Sequence, residues 1–321
     1  MLMARRRTLY LPSLLGTLVV AVLMACAVAL LTVSEKAEAT FPGQNGRIAY
    51  SGYDGNDYEI YTINSRGGDK FQVTNNNRDD YSPSYSPGGK RIAYVGFDRT
   101  DAEIYTIRVG GRGETKLTHN NAEEAAPSYS PDGKRIAYMV SEGNATGHTE
   151  IYTINIGGGG KTKVTTGGQP SYSPDGKKIV YWDYLKTAAN PHPDTEIYTI
   201  NVGGDGKTQL THNNTDEFTP DYSPDGKRIV FAGLAGLERN NAESDIYKIN
   251  AVGGRKIQLT HNNKYDTYPS YSPNGKKIAY TESKGNAIRG DIYTINAFAG
   301  DKTKLTRDNA DEYAPSWGSR P

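Results

Sequence analysis

Residues 127–138 read Pro-Ser-Tyr-Ser-Pro-Asp-Gly-Lys-Arg-Ile-Ala-Tyr, and close variants of this phrase recur along the chain. Successive copies are separated by 44, 43, 50, 49 and 46 residues. The prolines that begin the copies are Pro83, Pro127, Pro170, Pro220, Pro269 and Pro315. A period of about 46 residues fits one four-stranded propeller blade and is too long for the common two-helix repeats.

Each repeat predicts four short strands. Pro-Ser-Tyr-Ser is the first, Arg-Ile-Ala-Tyr the second, Glu-Ile-Tyr-Thr-Ile-Asn the third and a short segment ending in Leu-Thr the fourth. Tyr, Ile, Val and Thr favour pleated sheet. Between the first two strands, Pro131 presets φ for a type I turn and Gly133 can take the left-handed position of a hairpin bulge. Gly-Gly pairs mark the turn between the third and fourth strands.

The number of copies predicts a closed ring. The second-strand and third-strand motifs each occur six times, whereas the first-strand motif is missing at the start and appears alone at the end, as Pro315-Ser316-Trp317-Gly318. The last copy would therefore complete the first blade and leave no open sheet edge. We predict an all-β fold: a six-bladed β-propeller of four-stranded blades, closed by the C-terminal strand joining the first blade.

The repeat resembles that of the TolB-type β-propeller family. Tyr-Ser-Pro-Asp-Gly-Lys-Arg-Ile-Ala-Tyr, followed by Glu-Ile-Tyr-Thr-Ile-Asn and Leu-Thr, carries the resemblance over residues 43–321. The resemblance implies a six-bladed propeller of the cell envelope that acts through protein contacts. It does not extend to the α/β domain that precedes the propeller in TolB itself.

The N-terminal segment predicts export. Three arginines at 5–7 precede an apolar stretch at 14–33, and Ala37-Glu38-Ala39 follows as a small-x-small cleavage site. This order indicates a signal peptide over residues 1–39, although the apolar stretch is long enough to be a retained membrane anchor. The propeller would then cover residues 40–321. We expect a periplasmic, cell-surface or extracellular protein, which is attached to the membrane through its N-terminus if this segment is not cleaved.

Composition and motifs favour binding over catalysis. The net charge of +1 offers no bulk field for nucleic acid, and the single cysteine excludes a disulfide framework. Neither a Gly-x-Ser-x-Gly elbow nor a Walker loop occurs. We therefore predict no enzyme, no catalytic residues, no metal site and no cofactor. Asp54-Gly55-Asn56-Asp57 is open to two interpretations, a tight turn or a weak calcium loop.

The binding site is predicted on one face of the ring. The loops from second to third strand and from fourth to first strand share a face, and the former lengthen in the last four repeats to about 139–149, 182–195, 232–244 and 281–290. We call this the long-loop face. The predicted contact residues there are Trp182, Tyr184, His192, Leu234 and Leu237. The alternative is that Trp182, Tyr184, Leu234 and Leu237 fold back on their own blades.

Carboxylates recur three residues before the first-strand proline. They are Asp80, Glu124, Glu217, Asp266 and Glu312, with Gly167 as the exception in the third repeat. We predict that they form an acidic ring at the mouth of the axial channel, which attracts a cation or a basic segment of a partner. The alternative is a structural role in which each acid accepts backbone N–H bonds.

These observations together predict an exported, non-catalytic binding scaffold that is a monomer and engages a protein partner in the envelope. Two other functions stay open. One is an enzyme acting on envelope polysaccharide, a lyase or a glycosidase, at the channel mouth. The other is a module that binds carbohydrate or another small ligand there.

Overall fold

A computed structural model describes residues 43–97, 100–141, 149–184, 194–234, 243–284, 290–298, 300–308 and 310–321. The predicted signal segment 1–39 and the predicted contact residues His192 and Leu237 lie outside these ranges. Every regular element within them is a β-strand. In these ranges there is no helix of the length and apolar character needed to cross a bilayer.

The described residues form twenty-four strands in chain order. The first eight are β1 (Asn45–Tyr53), β2 (Tyr58–Ile63), β3 (Phe71–Gln72), β4 (Asp79–Tyr85), β5 (Arg91–Phe97), β6 (Ala102–Arg108), β7 (Arg112–Lys116) and β8 (Glu123–Tyr129). The next eight are β9 (Arg135–Ser141), β10 (Thr149–Asn155), β11 (Thr162–Thr166), β12 (Gly168–Tyr172), β13 (Lys178–Tyr184), β14 (Thr195–Asn201), β15 (Thr208–Gln209) and β16 (Glu217–Tyr222). The last eight are β17 (Arg228–Leu234), β18 (Ser244–Asn250), β19 (Ile257–Gln258), β20 (Tyr265–Tyr271), β21 (Lys277–Ser283), β22 (Gly290–Asn296), β23 (Thr303–Lys304) and β24 (Glu312–Ser319).

The strands form antiparallel blades, and the all-β propeller fold is confirmed. Four sheets have four strands each, in the orders β24-β1-β2-β3, β4-β5-β6-β7, β11-β10-β9-β8 and β12-β13-β14-β15. A fifth sheet has eight strands and contains two consecutive antiparallel runs, β16–β19 and β20–β23. One parallel pairing, Ser244 with Tyr265, joins these runs. The described strands thus form five hydrogen-bonded sheets, where six separate ones were predicted.

The C-terminal strand closes the ring as predicted. β24 pairs antiparallel with β1, with Trp317 opposite Ile48. Trp317 is 4% exposed and packs in one cluster with Ile48 of its own blade and with Ala279 and Ile292 of β21 and β22. The first and last repeats therefore share a core.

The core lies between neighbouring blades. One cluster, for example, joins Ala49 and Ile60 of the first blade to Tyr85, Ile92 and Tyr94 of the second. The middle strands are buried on both sides, which explains their near-continuous apolar character. Each blade is thus stabilised chiefly by the next one around the ring.

The turn after the first strand has the predicted chemistry. Gly133 has a φ of 67° and donates its N–H to the Ser130 carbonyl at 2.8 Å. The Ser130 hydroxyl donates to Asp132 at 2.6 Å and accepts the Arg135 N–H at 2.9 Å. Proline, aspartate and glycine in this order thus fix the register of the first two strands.

Candidate functional site at the channel mouth

The innermost strand of every repeat lines the axial channel. Its narrow part encloses about 150 Å³ and is bounded by one x-Pro-Ser or x-Pro-Asp segment from each repeat. The residue before each proline has a φ of 50° to 53°, in the left-handed region. These residues are Ser82, Ala126, Gln169, Thr219, Tyr268 and Ala314. The ladder shifts register at these points, so each innermost strand carries a β-bulge that re-aims its side chains.

A larger cavity of about 600 Å³ opens above this constriction, on the long-loop face. We call it the tyrosine mouth. Its aromatic lining consists of Tyr58, Tyr81, Tyr265, Tyr268 and Tyr313. All five are half-buried, so each ring is packed on one side and open on another. The volume lies within the usual range of about 300–1,000 Å³ for ligand sites.

Three of these tyrosines form a connected group. The Tyr58 ring centroid lies 5.5 Å from that of Tyr81 and 5.3 Å from that of Tyr313. The Tyr58 hydroxyl donates to Asp311 Oδ2 at 2.5 Å, and Asp311 Oδ1 accepts the Gly290 N–H at 2.7 Å. Burial, followed by the hydrogen bond to Asp311, raises the pKa of Tyr58, which keeps the phenol protonated. The group is therefore anchored to the backbone through one carboxylate.

The mouth has an acidic lining. Glu123, Glu124 and Asp311 contribute to its wall, and the described lining includes no lysine, arginine or histidine. Glu123 is exposed, whereas Glu124 and Asp311 are 0% and 7% exposed. Aromatic faces next to carboxylates attract cations, because ring quadrupoles and negative charges act in the same direction.

Of the predicted ring of carboxylates, Glu124 is the member that lines this mouth among the described residues. Asp80, Glu124, Glu217, Asp266 and Glu312 are each 0% exposed. Alternation along the strand explains this burial, since the third residue before the proline points into the blade while its neighbours face the opening. The positions two and four residues before the proline supply Tyr81, Tyr313, Glu123 and Asp311.

The buried carboxylates make structural contacts. In four repeats an asparagine four residues earlier donates its side-chain amide to the acid. These pairs are Asn76–Asp80 at 2.8 Å, Asn120–Glu124 at 2.6 Å, Asn213–Glu217 at 2.7 Å and Asn262–Asp266 at 2.9 Å. Burial raises the pKa of Glu124, Asp266 and Glu312 to about 7 in each case. The acids therefore position the loop that enters each innermost strand.

In five repeats a lysine ammonium group lies over the ring of the third-strand tyrosine. The Nζ-to-centroid distances are 4.5 Å for Lys70–Tyr61, 4.4 Å for Lys161–Tyr152, Lys207–Tyr198 and Lys256–Tyr247, and 4.3 Å for Lys302–Tyr293. Lys256 also reaches Glu217 at 2.8 Å, and Lys70 lies 3.5 Å from Glu312.

In the second blade a cation also lies over the third-strand tyrosine, but it comes from a different position in the sequence. Glu114 stands where the other repeats have lysine, and Arg78 supplies the cation from another strand connection. The Arg78 guanidinium lies 4.1 Å from the Tyr105 ring centroid, 2.8 Å from Asp80 and 2.5 Å from Glu114. The exchange keeps a cation next to the buried Asp80.

The fourth blade, β12–β15, shows why the acid is missing at Gly167. A Cβ on Gly167 would lie 2.4 Å from the Trp182 carbonyl oxygen, and the glycine φ is +118°, so a side chain is excluded. Asp183, 8% exposed, takes over the charge and pairs with Lys207 at 2.6 Å. The gap in the sequence pattern is therefore filled from the neighbouring strand.

The predicted loop contacts lie at strand ends. Trp182 and Tyr184 belong to β13 and Leu234 ends β17, so the strands extend further than predicted. Trp182 is half-buried and donates its indole N–H to Gln169 at 2.8 Å. Tyr184 is 37% exposed and packs edge-on against Trp182 at 5.6 Å. Trp182 thus folds back on its blade, and Tyr184 keeps an open face.

One carboxylate lines the channel itself. Asp221 occupies the position that serine holds in the other innermost strands, and it accepts the Ser171 hydroxyl and the Tyr271 N–H, both at 2.9 Å. Burial raises its pKa to about 6. Asp221 links three innermost strands at the narrow part of the channel.

The five tyrosines of the mouth were not among the contact residues predicted from the sequence. The sequence does contain a pattern that indicates aromatic residues at the mouth. Two residues before the first-strand proline stand Tyr81, Phe218 and Tyr313, on the strand face that points to the channel. Tyr58 carries no comparable signal, since it comes from a third strand and reaches the mouth only through the fold.

These features define a β-propeller with a ligand-sized opening on its axis. The model of the TolB beta propeller domain matches residues 38–190 and 170–320, and the chain belongs to this family. The resemblance noted in the repeats is thereby confirmed. No curated protein matches the chain.

Solved structures share the fold at low identity. TolB from Acinetobacter baumannii is 23% identical with a TM-score of 0.72, covering 87% of this chain and 68% of that one. A putative TolB from Agrobacterium tumefaciens is 20% identical with a TM-score of 0.64, covering 86% and 99%. An oligogalacturonate lyase from Vibrio parahaemolyticus is 13% identical with a TM-score of 0.53, covering 84% and 78%. The likeness at these identities shows the fold alone.

Proposed function

We propose that this chain is an exported, non-catalytic binding scaffold of the cell envelope that engages a protein partner at the tyrosine mouth. The observation that carries the proposal is the cavity of about 600 Å³ walled by five half-buried tyrosines. Tyrosine supplies a large contact area at a low entropic cost and is enriched at interfaces. The TolB-type propeller family supports a binding role in general.

The partner, in this proposal, inserts a basic side chain into the mouth. Glu123 and Asp311 provide negative charge, and Tyr81 and Tyr313 lie with their ring centroids 6.0 Å apart. A lysine or arginine would gain cation–π contacts as well as charge attraction. Electrostatic steering by such a lining is strongest at low ionic strength.

The proposal includes the architecture of the ring. We count the eight-stranded sheet as two blades, because only the pairing of Ser244 with Tyr265 connects its antiparallel runs. The propeller then has six blades, one per repeat. We further propose a monomer, exported through the segment 1–39 as a cleaved signal or retained as an anchor.

A second candidate is a site for carbohydrate, with or without turnover. Tyrosine walls suit sugar rings, and an oligogalacturonate lyase shares the propeller fold. The acidic lining would repel an anionic polymer, so a neutral sugar fits better. A turnover screen on neutral and acidic envelope polysaccharides separates this candidate from the first, because a non-catalytic scaffold releases no product.

The test is a pull-down from envelope extract with the mature protein, residues 40–321. Tyr81→Ala and Glu123→Lys remove an aromatic wall and reverse an exposed charge of the mouth. Each should reduce capture of a specific partner by roughly tenfold or more at low salt. The matched control is Val252→Ser, because Val252 is 89% exposed in the turn between β18 and β19, on the opposite face. Equal capture by all four proteins would contradict the proposal.

A further inference from the structure

Three carboxylates converge at the connection between the second and third strands of the first repeat, next in the chain to Tyr58 of the tyrosine mouth. One oxygen each from Asp54, Asp57 and Glu59 lies within 4.8 Å of the others. Asp54 is exposed, whereas Asp57 is 7% and Glu59 is 0% exposed. Two oxygens on opposite sides of a calcium ion stand about 4.6–5.2 Å apart, since each bond measures about 2.3–2.6 Å. The spacing therefore fits one ion.

Two buried oxygens of this cluster have no hydrogen-bond partner among the described residues. They are Asp57 Oδ1 and Glu59 Oε2. The other oxygen of Asp57 accepts the Asn56 side-chain amide at 3.1 Å, and the other oxygen of Glu59 accepts the Asn76 N–H at 2.5 Å. A buried, unpartnered carboxylate oxygen is costly, and two in one cluster point to a missing positive charge.

The second repeat places a lysine beside the equivalent acid, whereas the fourth and fifth repeats have glutamine there (Gln209 and Gln258), as the first repeat does. Glu103 is the counterpart of Glu59, and Lys116 Nζ lies 3.1 Å from it. In the first repeat Gln72 occupies the position of Lys116. The side-chain N–H₂ group of Gln72 also has no hydrogen-bond partner among the described residues. Within the described part of the chain, no lysine, arginine or histidine pairs with Asp54, Asp57 or Glu59. The first repeat thus keeps the acids and lacks the cation.

We propose that Asp54, Asp57 and Glu59 bind a calcium ion. The donors are all oxygens, as a hard cation requires; each carboxylate offers one oxygen to the ion, and water completes the shell. Magnesium fits less well, because it demands strict octahedral geometry and retains most of its water. The site is independent of the proposed partner binding.

Calorimetric titration of the mature protein with CaCl₂ tests the site, after removal of bound metal with chelator. We expect one ion per chain, with a dissociation constant on the order of 10⁻⁴ M, as in extracellular calcium modules. Asp57→Asn and Glu59→Gln should each weaken binding by roughly tenfold or more. The matched control is Glu103→Gln, which removes the equivalent acid of the second repeat and should leave calcium affinity unchanged.

Thermal melting provides the second readout. About 10 mM CaCl₂ should raise the melting temperature of the parent and of Glu103→Gln by clearly more than that of Asp57→Asn. Asp54→Asn, at the exposed acid, keeps the test valid if a buried variant fails to fold, and it should also weaken calcium binding. The proposal is overturned if the parent binds no calcium up to this concentration, or if Asp54→Asn and Asp57→Asn bind calcium as the parent does.

Discussion

Closure of the ring by the last strand can be tested through one side chain. Trp317 is 4% exposed and contacts the first and last repeats at once. Trp317→Ala should lower the free energy of unfolding by about 3–5 kcal/mol, as for buried aromatic residues generally. Against a total of about 5–15 kcal/mol, this is a large share, and it corresponds to a fall in Tm of roughly 6–20 °C.

Urea denaturation followed by tryptophan-independent far-UV circular dichroism gives the free energy difference. The Trp317 indole N–H has no partner in the described ranges, so Trp317→Phe keeps an aromatic contact without losing a hydrogen bond and should cost clearly less. Deleting residues 315–321 removes the ladder to β1 as well and should cost more than Trp317→Ala. The reasoning is refuted if the truncated protein melts within about 2 °C of the parent.

Three further predictions concern the buried charges. Arg78→Ala leaves Asp80 buried without its cation and should destabilise the protein by about 3–5 kcal/mol in urea titrations, with part of the loss recovered in Arg78→Ala/Asp80→Asn. Gly167→Glu, which would restore the repeated acid, should instead destabilise by at least about 1–3 kcal/mol, because its Cβ collides with the backbone of Trp182; parental stability would contradict this. Burial raises the pKa of Asp266 to about 7. Its contribution to stability is therefore fully present below the unfolded pKa near 4 and is lost as the pH rises towards 7. Asp266→Asn should reduce this loss of stability, which melting curves recorded between about pH 4 and pH 7 would show.

The sequence predicted the propeller because each repeat encodes its own turns and strands. Gly133 and its counterparts fix the turn between the first two strands. The displaced copy at 315–318 predicts that the last strand closes the ring. Local patterns of this kind survive folding, since the backbone conformation they require is the same in every repeat. The single pairing of Ser244 with Tyr265, by contrast, depends on how two blades approach each other, and no repeat pattern predicts it.

The site was harder to predict because it depends on direction as well as position. The acids three residues before the proline were found, but the bulge and the strand alternation turn them into the blades. Asp183 replaces the acid that is missing at Gly167, and Arg78 replaces a lysine. In both cases the charge lies at the same place in the structure, although it comes from a different position in the sequence. Such substitutions become visible only when the strands are side by side.

Photo-crosslinking in cells tests the central claim most directly. A benzoylphenylalanine at position 81 replaces Tyr81 in the tyrosine mouth, and the same group at position 252 replaces Val252 on the opposite face. Binding at the mouth predicts a specific adduct with an envelope protein from position 81, weakened by Glu123→Lys, and none from position 252. An adduct from position 252 alone, or none from either position, would contradict the account.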